Sequence, residues 1–318
     1  MASDRPLISF IIPHKGREAL LKQTLPSISR QQFDAGQIQV VVVTQNAALE
    51  ADTLPEQLNV ITLHRSEQDT ISRLRNQGVQ QARGEYLAFL DADVEIAPDW
   101  SSSMLAELNA DPGRALVSAV QRCEDNAPPL EKIRTVLSNA VTDADVRFLP
   151  GRNLFLRRST FDAVGGFPEH LITCEDYYFT DRVHELGRLF YSSRSSYVHL
   201  GEDKRFDEMY RKEIWRGQSN LQSIKGRKIP VSELPSFLVP LWIAFFALCA
   251  LISLLAFSFP ALVLALALAL LPVLLYSVRL YRLARGSIAF SQILRFYLLY
   301  FPARIIGTFT GLFRAIQI

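Results

Sequence analysis

Apolar residues along this chain fall into two arrangements that change near residue 230. Before that point, short apolar runs alternate with segments of helical period. Leu7 to Ile12 is an apolar run halted by Pro13, Glu18 to Ser29 repeats apolar positions at helical spacing, and Gln39 to Val43 is rich in β-branched residues. Val60 to Leu63, a helix over Thr70 to Arg83 and a strand over Tyr86 to Leu90 continue the series. Strands that are apolar throughout, alternating with helices, predict an α/β sandwich with a mostly parallel sheet covered on both faces. Residues 113 to 150 are more irregular, and Pro128 and Pro129 in a polar stretch predict a flexible loop over a cleft. Asn153 to Leu156 then reads as a short strand and Gly165-Gly166 as a tight turn. A helix follows from Glu175 to Leu186, opening on acids and closing before Gly187.

From Phe237 to Val278 there is no Asp, Glu, Lys, Arg, His, Asn or Gln. A helix of that length, at about 1.5 Å per residue, would run roughly 60 Å, about twice the hydrocarbon core of a bilayer. Two membrane spans are therefore predicted, broken at Ser258 to Pro260 because proline ends one helix and starts another. Leu262 to Leu271 is apolar all round, which a half-exposed helix of a soluble core is not. Arg227 and Lys228 precede the hairpin and Arg279, Arg282 and Arg285 follow it. Positive charge at both ends predicts an inner-membrane protein whose N-terminal domain faces the cytoplasm. The tail, 287 to 318, mixes Arg295, Arg304 and Arg314 with Phe and Tyr, as in an amphipathic helix lying among anionic lipid headgroups. A third, partial span from Tyr297 is the alternative, and Arg304 argues against it. The expected division is a catalytic domain over 1–230, a transmembrane hairpin over 231–286 and a membrane-associated tail over 287–318.

Composition alters this picture little: 318 residues, 49% hydrophobic, with a formal net charge of +2. The polar start Met1 to Pro6 predicts no signal peptide, and Cys123, Cys174 and Cys249 show neither metal nor redox spacing, consistent with a reduced compartment. Lys204 to Lys228 is basic with Phe206, Tyr210 and Trp215 interleaved, a mix that elsewhere suits nucleic acid. Directly before a membrane hairpin it points instead to anionic headgroups or a lipid-linked diphosphate, and no nucleic-acid partner is expected.

The candidate chemistry begins where the strand Tyr86 to Leu90 ends in Asp91-Ala92-Asp93. Carboxylates at the C-terminal edge of such a strand stand where open α/β sheets bind ligands, and hard oxygen donors suit Mg2+ or Mn2+ carrying a diphosphate. The plainer alternative is a turn or helix cap, with Pro98 and Asp99 nearby. Neither Gly-x-Gly-x-x-Gly nor Gly-x-x-x-x-Gly-Lys-Ser/Thr occurs, so a nucleotide here is held by neither a Rossmann fingerprint nor a P-loop.

In order, a leading strand ending in Pro13, Arg75-Asn76-Gln77-Gly78, Ala82-Arg83-Gly84-Glu85-Tyr86, Asp91-Ala92-Asp93, Gly165-Gly166-Phe167 and Glu175-Asp176 with Arg182 and Gly187 resemble family 2 glycosyltransferases over residues 5 to 205. The resemblance implies a GT-A nucleotide-sugar-binding fold, a nucleotide-sugar donor and a divalent cation, Mn2+ or Mg2+. The hairpin resembles membrane-anchored members acting on polyprenyl-linked acceptors in cell-surface glycan synthesis. Carried over residue by residue, Asp93 would hold the cation with Asp91 alongside, and His199 would complete the metal site or simply be structural. Asp176 would be the general base that deprotonates an acceptor hydroxyl or phosphate, with Glu175 orienting acceptor or base; one such displacement inverts the anomeric carbon. Pro13, Arg75, Arg152 and Asn153 would line the donor, Arg75 being otherwise a solvated helix arginine.

The family usually carries two aspartates and a glycine after the second strand, where this chain has Thr44, Gln45 and Asn46. Gln45 can accept from N3 and donate to O4 of uracil, so a UDP-sugar is the expected donor, with GDP and other nucleotides left open. Processive relatives carry Gln-x-x-Arg-Trp and several spans; Ile214-Trp215-Arg216-Gly217-Gln218 has a different order, and transfer of a single sugar is expected. Two other classes fit less of the chain. A non-catalytic membrane adaptor would not need Asp91, Asp93 and Asp176. A sugar-phosphate nucleotidyltransferase, faintly echoed by His14-Lys15-Gly16-Arg17, has no place for Glu175-Asp176 or the hairpin.

Overall fold

The computed structural model of the chain describes residues 5–50, 52–218, 231 and 234–316; Arg227, Lys228 and the side chain of Arg314 fall outside these. In chain order the elements are β1 (Ile8–His14), α1 (Glu18–Ser29), β2 (Ile38–Thr44), β3 (Asn59–His64), α2 (Ile71–Gln81), β4 (Tyr86–Leu90), β5 (Val94–Ile96), α3 (Trp100–Ala110) and β6 (Arg114–Arg122). There follow α4 (Pro129–Ser138), β7 (Ala144–Val146), β8 (Asn153–Arg157), α5 (Arg158–Val164), α6 (Glu175–Leu186), β9 (Arg188–His199), α7 (Phe206–Gly217), α8 (Leu234–Leu255), α9 (Phe259–Ala284) and α10 (Phe290–Ile316). They form two compact units: Met1–Glu124 with Val141–Glu202, and Asp125–Ala140 with Asp203–Ile318.

The first unit is built on one mixed sheet in the order β3-β2-β1-β4-β8-β6-β9-β5, with β7 added on β9. Strands β3, β2, β1 and β4 run parallel; β8 enters antiparallel between β4 and β6. Alternation along the strands divides the core. Phe10, Ile12, Ala88 and Leu90 pack with Leu21 and Leu25 of α1 and Trp100 and Met104 of α3. Ile11, Leu87 and Phe89 pack on the other side with Val79 of α2 and with Phe161, Phe167 and Phe179. Successive side chains of a strand point to opposite faces, so one apolar run serves both layers.

The chain leaves β1 toward β2 and β3 on one side, while β4 lies on the other. The gap between β1 and β4 is thus the topological switch point, whose C-terminal edge is the usual ligand crevice of an open α/β sheet. Pairing of β1 with β4 stops at Ile11 and Phe89, so Pro13 lies beyond the last residue that must donate to that neighbour.

The irregular stretch 113 to 150 is not one loop. Arg114–Arg122 is a buried central strand, its apolar residues obscured in sequence by Ser118 and Gln121. Pro129 starts α4, where its fixed φ and missing N–H cost nothing. Leu130 and Ile133 of that helix belong to the core of the second unit, with Met209, Val273, Phe296 and Phe301. Compactness therefore does not follow the linear boundary expected at 230: α4 and α7 pack with the C-terminal helices.

In the second unit α8 and α9 are both long and apolar enough to cross a bilayer, and they part at Ser258 as expected. The tail is a single helix, α10, that turns Ile293, Phe296, Tyr297 and Phe301 inward. Two of its arginines meet protein groups: Arg304 lies 3.7 Å from the buried carboxylate of Glu213, and Arg295 covers the Phe206 ring at 4.6 Å. Helices α7 and α10 cross through glycines; a Cβ on Gly217 would sit 2.9 Å from the Gly307 Cα, and one on Gly307 would strike the Ile214 carbonyl. Only backbone fits there, so Gly307→Leu is expected to force the helices apart. Overpacking of this kind costs about 1–3 kcal/mol. A lower melting temperature in detergent and earlier proteolytic release of α10 should report it; wild-type melting would show that the crossing is looser than described.

Candidate functional site

The two aspartates stand at the β1/β4 edge in different surroundings. Asp91 remains 30% exposed, and its Oδ1 accepts a hydrogen bond of 2.9 Å from Arg75 Nη2. Asp93 is buried. One of its oxygens, Oδ2, accepts from Arg17 Nη2 at 2.8 Å, and the other, Oδ1, lies 3.4 Å from His199 Nε2. Burial alone would raise the Asp93 carboxyl, but the hydrogen bond from His199 and the charge of Arg17 outweigh it and hold it below the ordinary range.

Arg75, expected near the donor or else as a solvated helix arginine, is enclosed, which excludes the solvated reading. Its Nη1 donates to Glu175 Oε1 at 2.9 Å, its Nη2 to Asp91 and to the Gly151 carbonyl at 3.3 Å, and its guanidinium covers the Phe167 ring at 4.9 Å. Burial would lower its pKa, yet Asp91 and Glu175 more than compensate and keep it charged. Its neighbour Asn76 brackets the same region, accepting from Phe167 N at 2.9 Å and donating to the Phe167 carbonyl at 2.9 Å. Gly165 and Gly166, at φ +84° and +85°, make the turn that delivers Phe167.

Asp176 and Glu175 open α6. Asp176 Oδ2 accepts from the Gly151 N–H at 3.2 Å and Oδ1 from its neighbour Tyr177 N at 2.9 Å. Glu175 is pushed up to about 7 by burial and by the adjacent Asp176 charge, against the pull of Arg75. Asp176 and Asp91 are thereby joined through Gly151 and Arg75.

The other arm of the site runs through His199. Its Nδ1 meets Glu202 Oε2 at 3.1 Å, and Gln121 Nε2 donates to the same oxygen at 3.1 Å. Arg152 donates from Nη2 to Gln121 Oε1 at 2.9 Å and from Nε to the Tyr197 hydroxyl at 2.8 Å. Burial would lower the His199 pKa, but Asp93 and Glu202 push it up to about 9, so the ring bridges two carboxylates as a cation.

Whether a divalent cation fits can be judged from the donors. Among the described residues no group of three or more His, Cys, Asp or Glu is gathered for one. Asp93 and His199 offer one carboxylate and one imidazole, a partial set that metals carried by phosphates commonly accept. Gly201 leaves the space open, since a Cβ there would collide with Asp93 Oδ2. A metal requires the neutral imidazole, so the cation and the His199 proton are alternatives.

Two expected donor contacts take other roles. Gln45 donates its amide hydrogens to the carbonyls of Ser66 and Asp69, which leaves only its carbonyl oxygen and removes the paired donor and acceptor needed to read uracil. Asn153 is fully buried; it accepts from Trp100 Nε1 at 3.0 Å and donates to the Ala119 carbonyl at 3.1 Å, and so braces the core. Pro13 is buried in β1. Gln121, Gly151, Gly201 and Glu202 were not singled out in the sequence, and Arg17 and His14, a buried ring that meets Thr44 Oγ1 at 2.9 Å, figured there only in a nucleotidyltransferase-like run. The only local signals were the Gly16-Arg17 step after β1 and the His199-x-Gly201-Glu202 spacing after β9.

The glycosyl transferase family 2 model matches residues 9–167, from β1 through the turn that positions Phe167. The chain is 24% identical over 255 residues to glycosyltransferase AglE of Haloferax volcanii, covering 76% of this chain and 82% of that one. It is 28% identical over 203 residues to the beta-monoglucosyldiacylglycerol synthase of Trichormus variabilis, covering 58% of this chain but 42% of that protein. In three dimensions it superposes on the mannosyltransferase PcManGT of Pyrobaculum calidifontis, solved with GDP-Man and Mn2+, with TM-score 0.70 and 19% identity, over 98% of this chain and 88% of that one. The family match spans half the chain and takes in both the β1/β4 edge and the helix that carries Arg75, so this protein belongs to glycosyl transferase family 2 and is a glycosyltransferase with the GT-A fold.

Proposed function

We propose that the protein transfers one sugar, with inversion, from a nucleotide-sugar donor to a membrane-borne, lipid-linked acceptor on the cytoplasmic face of the inner membrane. The observation that carries this reading is the single hydrogen-bonded chain from Asp93 through His199, Glu202, Gln121 and Arg152, whose carbonyl accepts from Asp91 N, and on through Arg75 and Gly151 to Asp176. Both halves of a displacement, departure and attack, then share one frame. Asp93 and His199 would hold a divalent cation, which would supply Lewis acidity for departure of the nucleoside diphosphate. Asp91 is oriented by Arg75 toward the same edge. Asp176 takes the acceptor proton, its carboxylate fixed in one orientation by two backbone N–H groups. Glu175 sits near neutrality beside it, so the two acids do not both repel the incoming oxygen as full charges. The lipid character of the acceptor is supported by the apolar pair α8 and α9 and by a relative whose name denotes a glucosyldiacylglycerol product.

With Mn2+ and a panel of UDP- and GDP-sugars, Asp93→Asn and Asp176→Asn are each expected to lower transfer by about 10²-fold or more while the protein still folds and enters the membrane. Full activity in either variant would refute the assignment. Cysteines placed at Ser258 and at Ser287 should label from opposite sides of sealed vesicles, and labelling from one side would rule out the hairpin. Glu175 supplies a pH test. Its folded value near 7 exceeds the ordinary 4.5, so between those values the folded chain keeps a proton the unfolded chain has lost. This group therefore turns against the fold as pH rises through that window. Glu175→Gln should melt with a weaker pH dependence than wild type between about pH 5 and 7; identical slopes would contradict the raised value.

A further inference from the structure

Arg17 is placed against three local preferences. It occupies the N-cap of α1 with φ 33° and ψ 46°, a left-handed conformation that costs a non-glycine residue about 1 kcal/mol. Its side chain makes no capping hydrogen bond, where Ser, Thr, Asp or Asn would. A cation also stands at the positive end of the helix dipole. The side chain instead reaches the Asp93 carboxylate, at 2.8 Å across 76 residues of sequence. Local rules broken together at a ligand edge mark a functional position.

The pair is asymmetric. Asp93 is 8% exposed, whereas the Arg17 side chain is 61% exposed. The guanidinium thus reaches down to a buried oxygen from solvent, and a pair with one arm so exposed is worth only about 0.2–1 kcal/mol. Gly201 makes the approach possible, since a Cβ there would collide with Asp93 Oδ2 and lie 2.7 Å from Arg17 Nη1. Arg17 thus already occupies the hydrogen-bonding position at Asp93 Oδ2, against the Gly201 backbone.

We propose that Arg17 is an exchangeable counter-ion. It neutralises Asp93 while the site is empty, yields that oxygen when the divalent cation arrives, and turns to the donor diphosphate delivered at the same edge. The inference rests on Asp93 being a cation ligand, as proposed above. No bond is made or broken. One positive group replaces another on Asp93 Oδ2, and the released guanidinium finds new anionic oxygens within its own side-chain length. Arg17 thereby acts as a positioning residue that also weakens cation binding in the absence of donor, so that cation and donor are favoured together.

The test is Mn2+ binding to the full-length protein in detergent, followed by electron paramagnetic resonance without nucleotide, for wild type, Arg17→Ala, Arg17→Gln, Arg17→Lys and Asp93→Asn. Removing the competitor should tighten Mn2+ by about two- to five-fold in Arg17→Ala and Arg17→Gln, with Arg17→Lys near wild type. At saturating Mn2+, the same two variants should bind UDP or GDP about ten-fold more weakly. Mn2+ affinity unchanged or weaker in both variants, with Asp93→Asn still abolishing binding, would overturn the exchange and leave Arg17 a structural tie. Undiminished Mn2+ binding by Asp93→Asn would instead show that the cation site itself lies elsewhere and that the underlying reading is at fault. Arg17→Gln keeps the comparison intact should Arg17→Ala fail to fold.

Discussion

The site depends on one buried guanidinium. Arg75 brings α2, the end of β4, the Gly151 turn and the start of α6 to a single planar group, and few other side chains could do so. Lysine is a point charge; arginine offers a fork of donors that can serve Glu175 with one nitrogen and Asp91 with another. Removing one partner from a buried ion pair costs about 3–5 kcal/mol, a large share of the roughly 5–15 kcal/mol by which domains are stable. The arrangement is thus a commitment of the fold and not a late adjustment for chemistry. Phe167 closes one face of the guanidinium, and the two left-handed glycines before it explain why the turn has the form it does.

Because Arg75 is charged and enclosed, the acids around it acquire different characters. Asp91 stays partly open to solvent, while Glu175 is shielded and pushed toward neutrality by burial and by Asp176. Asp93 belongs to a separate arm, where His199 and Arg17 supply the positive charge. The Asp93 arm and the Asp91–Glu175–Asp176 arm therefore carry their own counter-charges yet remain joined through backbone and side-chain hydrogen bonds. A shift at one end has a physical route to the other, by way of Arg152, Gln121 and Glu202.

The second unit follows another logic. Its buried Glu213 is met by Arg134 and Arg216, each at 2.6 Å, and by Arg304, whereas Arg205 and Arg211 of the same region stay exposed. Helices α7 and α10 are locked by backbone contact at Gly217 and Gly307 more than by charge.

The sequence by itself determined what periodicity and hydropathy can carry. The strands and helices from β1 to β4, the acids at the end of a strand, the glycine turn, the acidic start of α6 and the paired apolar helices all follow from patterns within a few residues of one another. The tertiary structure decided everything that rests on distant partners. Arg75 and Glu175 are 100 residues apart, and Arg17 and Asp93 are 76 apart, so no local rule distinguishes a solvated arginine from a buried hub or from the partner of a buried aspartate. The same holds for Gln45, whose amide goes to Ser66 and Asp69, for Asn153, which is consumed by Trp100 and Ala119, and for α4, which joins the second unit instead of forming a loop on the first. A side chain's type and neighbours in sequence fix what it can bond to, but only the fold brings a particular donor and acceptor within three ångströms, and the chemistry is settled there.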